Sequence, residues 1–327
     1  MWTKLFLKGV KKVNNLIVIR RHAQKTAFAA LIAFLIYLFL CPPAVAATAI
    51  SITDDLGRAV VLSHPAVRVV CLSEVHAENI VALRGSGQLA GIAFTTDPDW
   101  VKRGLPQLSK NPSAAQILEI KPDLVVADAT WALANKQVLD ALDRAKTPCA
   151  VFAMPNWPGF ARYLTNLGAL IGRAREADAA LDKLQMTVSQ ARERSDGKKQ
   201  PNVFVLTGAD FSTCDPFSWG ARLITAAGAK LVTDVKAERI NDAPWLVLYG
   251  SKKFAAAAPK IDVLITVTAN NREAAVLFKS AILKDPRFKD VPAVKNNRVY
   301  EMKEADLKPS LLRLDSSLKA CAAMFGK

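Results

Sequence analysis

From residue 50 onward the apolar positions of this chain follow two rhythms, short unbroken runs and stretches of helical period, and the two alternate. Ile50-Ser51-Ile52-Thr53 alternates apolar with polar, turns at Asp54-Asp55-Leu56-Gly57 and resumes from Arg58 to Leu62, the pattern of a β-hairpin. Arg68 to Leu72, Leu89 to Phe94, Leu124 to Ala127 and Cys149 to Ala153 are near-continuous apolar runs. Successive side chains of a strand point to opposite faces, so a run of this kind describes a strand buried on both sides. Helical segments stand between them, over Ala77 to Leu83, Ala114 to Ile120 and Ala132 to Ala145. Such an alternation builds a parallel sheet covered by helices on both faces.

The rhythm changes at Gly159. Up to Arg194 there is almost no strand pattern: Leu164, Leu167, Leu170 and Ile171 keep helical spacing, Gly172 interrupts, and Ala177, Leu181, Leu184 and Val188 resume it. This predicts one long kinked helix, or two end to end, stopping in the polar run Ser195 to Pro201. The α/β alternation then restarts, with strands over Asn202–Leu206, Val263–Val267 and Arg298–Glu301 and helices over Ala221–Ala227 and Leu311–Met324. The expected organisation is a signal peptide over 1–46, an N-terminal α/β lobe with its leading hairpin over 47–155, a connecting backbone helix over 156–196 and a C-terminal α/β lobe over 197–327. The fold class is α/β, two three-layer lobes with mainly parallel sheets joined by a long rigid helix.

Composition changes this picture mainly at the N-terminus. Of the 327 residues 51% are hydrophobic, and 44 Lys and Arg face 29 Asp and Glu for a formal net charge of +15. Seven of those bases and no acid precede Ala47, which leaves 37 bases against 29 acids, a net +8, beyond it. The remaining charges are interspersed, as on a solvated surface, and no basic stretch with interleaved aromatics points to nucleic acid. The first segment reads as an export signal: a basic stretch ending at Lys25, fourteen uncharged residues from Ala27 to Leu40, and small residues Ala44 and Ala46 before a cleavage point. The apolar run is shorter than the roughly 20 residues of a spanning helix. A cleaved, periplasmic protein is therefore expected ahead of an uncleaved inner-membrane anchor. Leu40 argues against lipid attachment at Cys41, because the preceding residue must be small.

Five segments stand out in order: Thr53-Asp54-Asp55-Leu56-Gly57-Arg58; Arg68 to Ser73 with Glu78; Leu118-Glu119-Ile120-Lys121-Pro122-Asp123-Leu124-Val125-Val126; Leu167 to Arg173; and Pro292 to Tyr300. In this order and spacing they resemble the helical-backbone periplasmic binding proteins that serve siderophores, haem and cobalamin. The resemblance runs from about Ile52 to the C-terminus. It implies a monomeric receptor that captures a metal chelate between its lobes, closes modestly around a stiff connection and delivers the ligand to an inner-membrane ABC permease. It implies no catalysis and no cofactor.

In open α/β sheets ligands bind beyond the carboxyl ends of the strands. The loops there offer Ser73, Glu74 and His76 after the first strand of the sheet, Trp100 after the second and Trp131 after the third. The second lobe offers Phe217, Trp219, Trp245, Asn271 and Arg272. Aromatic faces with a few polar groups suit a large, flat, amphipathic ligand; the alternative for each tryptophan is an ordinary packing role. His76 at the cleft mouth would offer an axial ligand to a chelated metal, or else be a solvated residue at a helix start. Arg272 would pair with an anionic siderophore.

Other classes fit poorly. Beyond residue 46 the histidines are His64 and His76, too few for a bare zinc or manganese site. No Gly-x-Ser-x-Gly, phosphate-binding glycine loop or His-Glu-x-x-His occurs, so an enzyme is disfavoured. Cys71, Cys149, Cys214 and Cys321 show no Cys-x-x-Cys spacing, which argues against zinc. The resemblance implies a disulfide from the last helix to the second lobe, for which Cys214 is the nearest candidate partner of Cys321. It also implies a docking glutamate on each lobe. The matching places hold Ala115 in the first lobe and Lys252 or Ser251 in the second, so both glutamates are absent and a changed membrane partner, or a sensory or scaffolding role, is expected.

Overall fold

The structure, a computed structural model, describes residues 49–241, 243–268 and 272–326, and the chain from Ala49 onward forms one compact unit. The expected signal peptide lies outside the described residues. Strands β1 (Ile50–Thr53) and β2 (Ala59–Leu62) form the leading hairpin, with Thr53 opposite Ala59. Buried Asp54 closes its turn, accepting from the Leu56 and Arg58 N–H groups at 3.0 and 2.9 Å and from the Arg58 guanidinium at 2.9 Å.

The first lobe follows as β3 (Val69–Cys71), α1 (Glu74–Ala82), β4 (Leu89–Ile92), α2 (Pro98–Val101), α3 (Ala114–Glu119), β5 (Leu124–Asp128), α4 (Ala129–Ala134), α5 (Lys136–Arg144) and β6 (Cys149–Phe152). Its four strands run parallel in the order β4-β3-β5-β6. Asp123, in the Lys-Pro-Asp turn before β5, accepts from the Val67 and Arg68 N–H groups at 2.8 and 2.9 Å and so sets the register of β3 against β5. The single helix expected over Ala132–Ala145 is two, because Asn135 leaves the helical region at φ −120° and ψ 39°.

The connection is also two helices, α6 (Phe160–Leu170) and α7 (Ala174–Ser195). Gly172 turns the chain between them at φ +66°, a conformation side chains disfavour. A Cβ on Gly168 would stand 2.7 Å from that of Ala177, so this glycine lets the two helices touch. Helix α6 buries Phe160, Tyr163, Leu164, Leu167 and Leu170 in the first-lobe core. The longer α7, 22 residues and about 33 Å, carries the chain on to the second lobe.

That lobe contains β7 (Asn202–Leu206), β8 (Ser212–Cys214), α8 (Trp219–Ala226), β9 (Lys230–Leu231), β10 (Arg239–Ile240), β11 (Ala243–Leu248), α9 (Ser251–Ala257), β12 (Val263–Thr268), α10 (Arg272–Lys284), α11 (Pro292–Lys295), β13 (Val299–Lys303) and α12 (Leu314–Phe325). Its main sheet is parallel in the order β13-β12-β7-β9; a small antiparallel sheet, β10-β11-β8, lies beside it. The core does not stop at the lobe boundary. Trp219, Leu223 and Ala226 of α8, with Leu314 and Leu318 of α12, belong to the same apolar cluster as Phe152, Phe160 and Leu167 of the first lobe.

The four cysteines of the described chain are buried free thiols. Cys214 and Cys321 share the second-lobe core without the expected bridge, and burial pushes each thiol up to about 12. They act as small apolar core residues.

Candidate functional site

The two sheets aim their carboxyl ends at a common gap. Beyond β3 and β4 the first lobe presents Leu72, Ser73 and Glu74 and the segment Ala93 to Thr96. Opposite, the chain leaving β13 passes through a tight turn over Glu304–Leu307 and continues as a strap to Arg313. A cavity of about 420 Å³ lies between them. A smaller one, about 130 Å³, is lined by Met154 to Asn156 beyond β6 and by Asp215, Trp219, Arg239 and Trp245 of the second lobe. The strap borders both, with Ala305 and Lys308 on the larger and Leu307 and Pro309 on the smaller.

The strap is held by two neighbouring residues of α1. The Asn79 side chain donates to the Pro309 carbonyl at 2.9 Å and accepts from the Leu311 N–H at 3.0 Å. The Arg313 guanidinium donates to Glu78 at 2.6 Å and to Asp97 at 2.8 Å. Both carboxylates are almost fully buried. Burial alone would raise the Asp97 carboxyl, but the Asp99 N–H and Arg313 hold it below the usual carboxylate range. Burial raises the Glu74 carboxyl; Glu78 and Asp97 add to this, while the Thr95 hydroxyl and Lys308 oppose it.

The sequence-derived candidates divide sharply. Ser73, at the N-cap position of α1, and Glu74, in its first turn, line the larger cavity. Trp245 lines the smaller one. Phe217 is 49% exposed, and its carbonyl accepts from the Trp157 backbone N–H at 2.9 Å. Trp131 is half-buried against the first-lobe core, and its indole N–H has no protein partner. Trp219 also borders the smaller cavity, yet it is only 2% exposed and packs on Trp157 and Phe160 with ring centroids 5.1 and 4.7 Å apart. Trp100 is core, with the Arg103 guanidinium 4.9 Å from its ring. Asn271 lies outside the described residues, as does the side chain of Arg272, which opens α10.

His76 is corrected outright. It occupies neither the cleft mouth nor a solvated helix start but is fully buried, with Nδ1 2.9 Å from the Tyr163 hydroxyl and the Phe152 ring edge-on. Burial lowers its pKa to about 4. The folded state thus keeps His76 neutral where the unfolded chain, near its ordinary 6.5, takes up a proton. Stability is expected to fall as pH drops from about 6.5 to 4, by about 3 kcal/mol in all. Denaturant titrations at several pH values should show this slope, and His76→Gln should remove it.

Sequence reasoning missed Arg313 and the strap. The available signal was a lone guanidinium inside the apolar run Leu311-Leu312-Arg313-Leu314. The two positions at which docking glutamates were expected are exposed and alike: Ala115 lies in the first turn of α3 and Lys252 in the first turn of α9. Among the described residues no three or more His, Cys, Asp or Glu side chains converge as metal ligands, and no helix is long and apolar enough to cross a membrane.

Residues 69–305 match the family model of the periplasmic binding proteins. No curated protein matches the chain. Among solved structures, a periplasmic binding protein of Veillonella parvula is similar with a TM-score of 0.70 at 16% identity, covering 86% of this chain and 99% of that one. An ABC-type Fe3+-hydroxamate transport protein of Saccharomonospora viridis gives 0.64 at 18% identity, over 85% and 99%. A periplasmic haem-binding protein of Roseiflexus gives 0.64 at 22% identity, over 79% and 97%.

Proposed function

The chain belongs to the periplasmic binding protein family, and from that premise we propose that it captures a metal chelate, whether siderophore, haem or corrinoid, between its lobes and delivers it to an inner-membrane ABC importer. The observation that carries this reading is the cavity at the carboxyl ends of β3, β4 and β13, where Phe94 is 46% exposed. Phe217, flanked by two residues of the smaller cavity, offers a second exposed ring from the other lobe. Aromatic faces beside a few polar groups suit a chelate's organic periphery. The fold is that of ABC-importer substrate-binding proteins, and similar structures include Fe3+-hydroxamate and haem binders. Ligand capture needs no turnover. Export through the leader, with a mature start near Ala47, belongs to the same reading, and N-terminal sequencing of periplasmic material tests it.

Titration with a ferric trihydroxamate, haemin and a corrinoid, read by tryptophan fluorescence, is expected to saturate with at least one of them. Phe94→Ala, which removes the exposed aromatic side chain from the larger cavity, should weaken that binding by about 1–3 kcal/mol. Indifference to every chelate, or turnover of one, would overturn the reading.

Docking is the part of this function for which the glutamates implied by the resemblance are absent. Exposed Ala115 and Lys252 carry no acidic charge to the lobe surfaces, so the permease would present neutral or acidic groups in place of arginines. Charge pairs at such rims set encounter and register more than raw affinity. The importer encoded nearest to this chain should bind the native protein better than Lys252→Glu; improvement by that substitution would show ordinary arginine sockets. The same two positions favour the second reading, a sensory or scaffolding protein of this fold, if no importer binds either form.

A further inference from the structure

The larger inter-lobe cavity has a charge arrangement that narrows the ligand class, given the chelate-binding reading above. Most of its charged lining is already engaged. Lys308 pairs with Glu304 at 2.7 Å, and Glu78 with Arg313 at 2.6 Å. Among the described side chains that line it, Glu74 and Lys110 remain without an ion partner. They are not equivalent. Lys110 is exposed, its ammonium 5.7 Å from the Phe94 ring centroid, where solvent and salt screen it. Glu74 is half-buried in the first turn of α1, beside Thr95 and close to the carboxylates of Glu78 and Asp97. A carboxylate withdrawn from water is unfavourable unless a cation or donors meet it. The exposed Phe94 ring in the same space already draws the Lys110 ammonium, which leaves Glu74 as the unpaired charge a ligand would meet. A polyanionic ligand would meet the opposite: a desolvated carboxylate with no free buried base beside it.

We propose that this cavity selects a compact metal chelate that presents an ammonium, or at least N–H donors, to Glu74 beside the Phe94 ring, and that it discriminates against polyanionic chelates. The volume of about 420 Å³ lies toward the lower end of ligand pockets and sets the compactness. Glu74 is the specificity-determining residue; the nearest base, Lys308, is paired with Glu304 and offsets its charge only in part.

The test uses three ferric chelates: a linear trihydroxamate with a free terminal amine, the same molecule N-acetylated, and a tris-catecholate trianion. Affinities are measured by calorimetry for the mature native protein, Glu74→Gln and Glu74→Asp, with thermal melts confirming that both variants fold. The amine form is expected to bind about ten- to a hundredfold more tightly than the acetylated form, the range for a hydrogen bond to a charged group. Glu74→Gln should bring that ratio close to one, and Glu74→Asp should retain a preference. Equal affinities in the native protein, a ratio that survives Glu74→Gln, or tightest binding of the trianion would overturn the charge rule while leaving chelate capture intact. Failure to bind any of the three, or haemin or a corrinoid, would overturn both.

Discussion

Replacing Arg313 with Met is expected to lower stability by about 3–5 kcal/mol, the loss typical when one partner of a buried ion cluster is removed. The guanidinium is 17% exposed and holds Glu78 and Asp97, whose side chains are 3% and 4% exposed. Without it, two carboxylates are left in a water-poor gap between the lobes, and the strap retains the bonds to Asn79. The signature is specific. The triple substitution Glu78→Gln, Asp97→Asn, Arg313→Met should recover much of the loss, because the penalty comes from uncompensated charge and not from missing volume. Denaturant unfolding of the single and triple variants at neutral pH measures both. An unchanged midpoint for Arg313→Met would mean that solvent already reaches the cluster.

Trp219→Ala should be comparably damaging, at about 3–5 kcal/mol, through a different mechanism. The indole is buried against Trp157 and Phe160, so its removal opens a cavity where the two lobes meet. Trp219→Phe, which keeps an aromatic body, should lose less. Because Trp219 packs here, its truncation is expected to register in the unfolding midpoint before it registers in ligand affinity. A Trp219→Ala protein of native stability with weakened chelate binding would reverse that assignment and return the residue to the ligand wall.

The elements legible in the sequence were those whose signal is local. The unbroken runs Leu124 to Ala127 and Cys149 to Ala153 coincide with the buried parallel strands Leu124–Asp128 and Cys149–Phe152. The helical spacing around Gly172 anticipated the break between α6 and α7. Strands β8 and β10 are short and pair only through β11, whose own pattern is broken by Pro244. Their existence depends on partners distant in the chain, and no local period announces that. The same reason divides the site. Ser73 and Glu74 line the cavity, and their position after a strand is a local fact of the sequence. Whether Trp100, Trp219 or His76 points outward or inward is decided by packing against residues such as Phe160 and Tyr163, which no spacing rule relates to them.

The continuity of the apolar core across the lobe boundary bears on how such a protein can be recombined. A splice in the polar run Ser195 to Pro201 appears natural on the linear chain, since that run separates one α/β unit from the next. Yet a second lobe grafted there from another receptor must bring side chains that fit Trp157, Phe160 and Leu167 where Trp219, Leu223, Leu314 and Leu318 now sit. It must also supply a guanidinium for Glu78 and Asp97. The halves are thus heritable only as a matched pair. Chimeras that exchange those contact residues together with the lobe should remain soluble, whereas a cut made by domain boundary alone joins two incompatible surfaces.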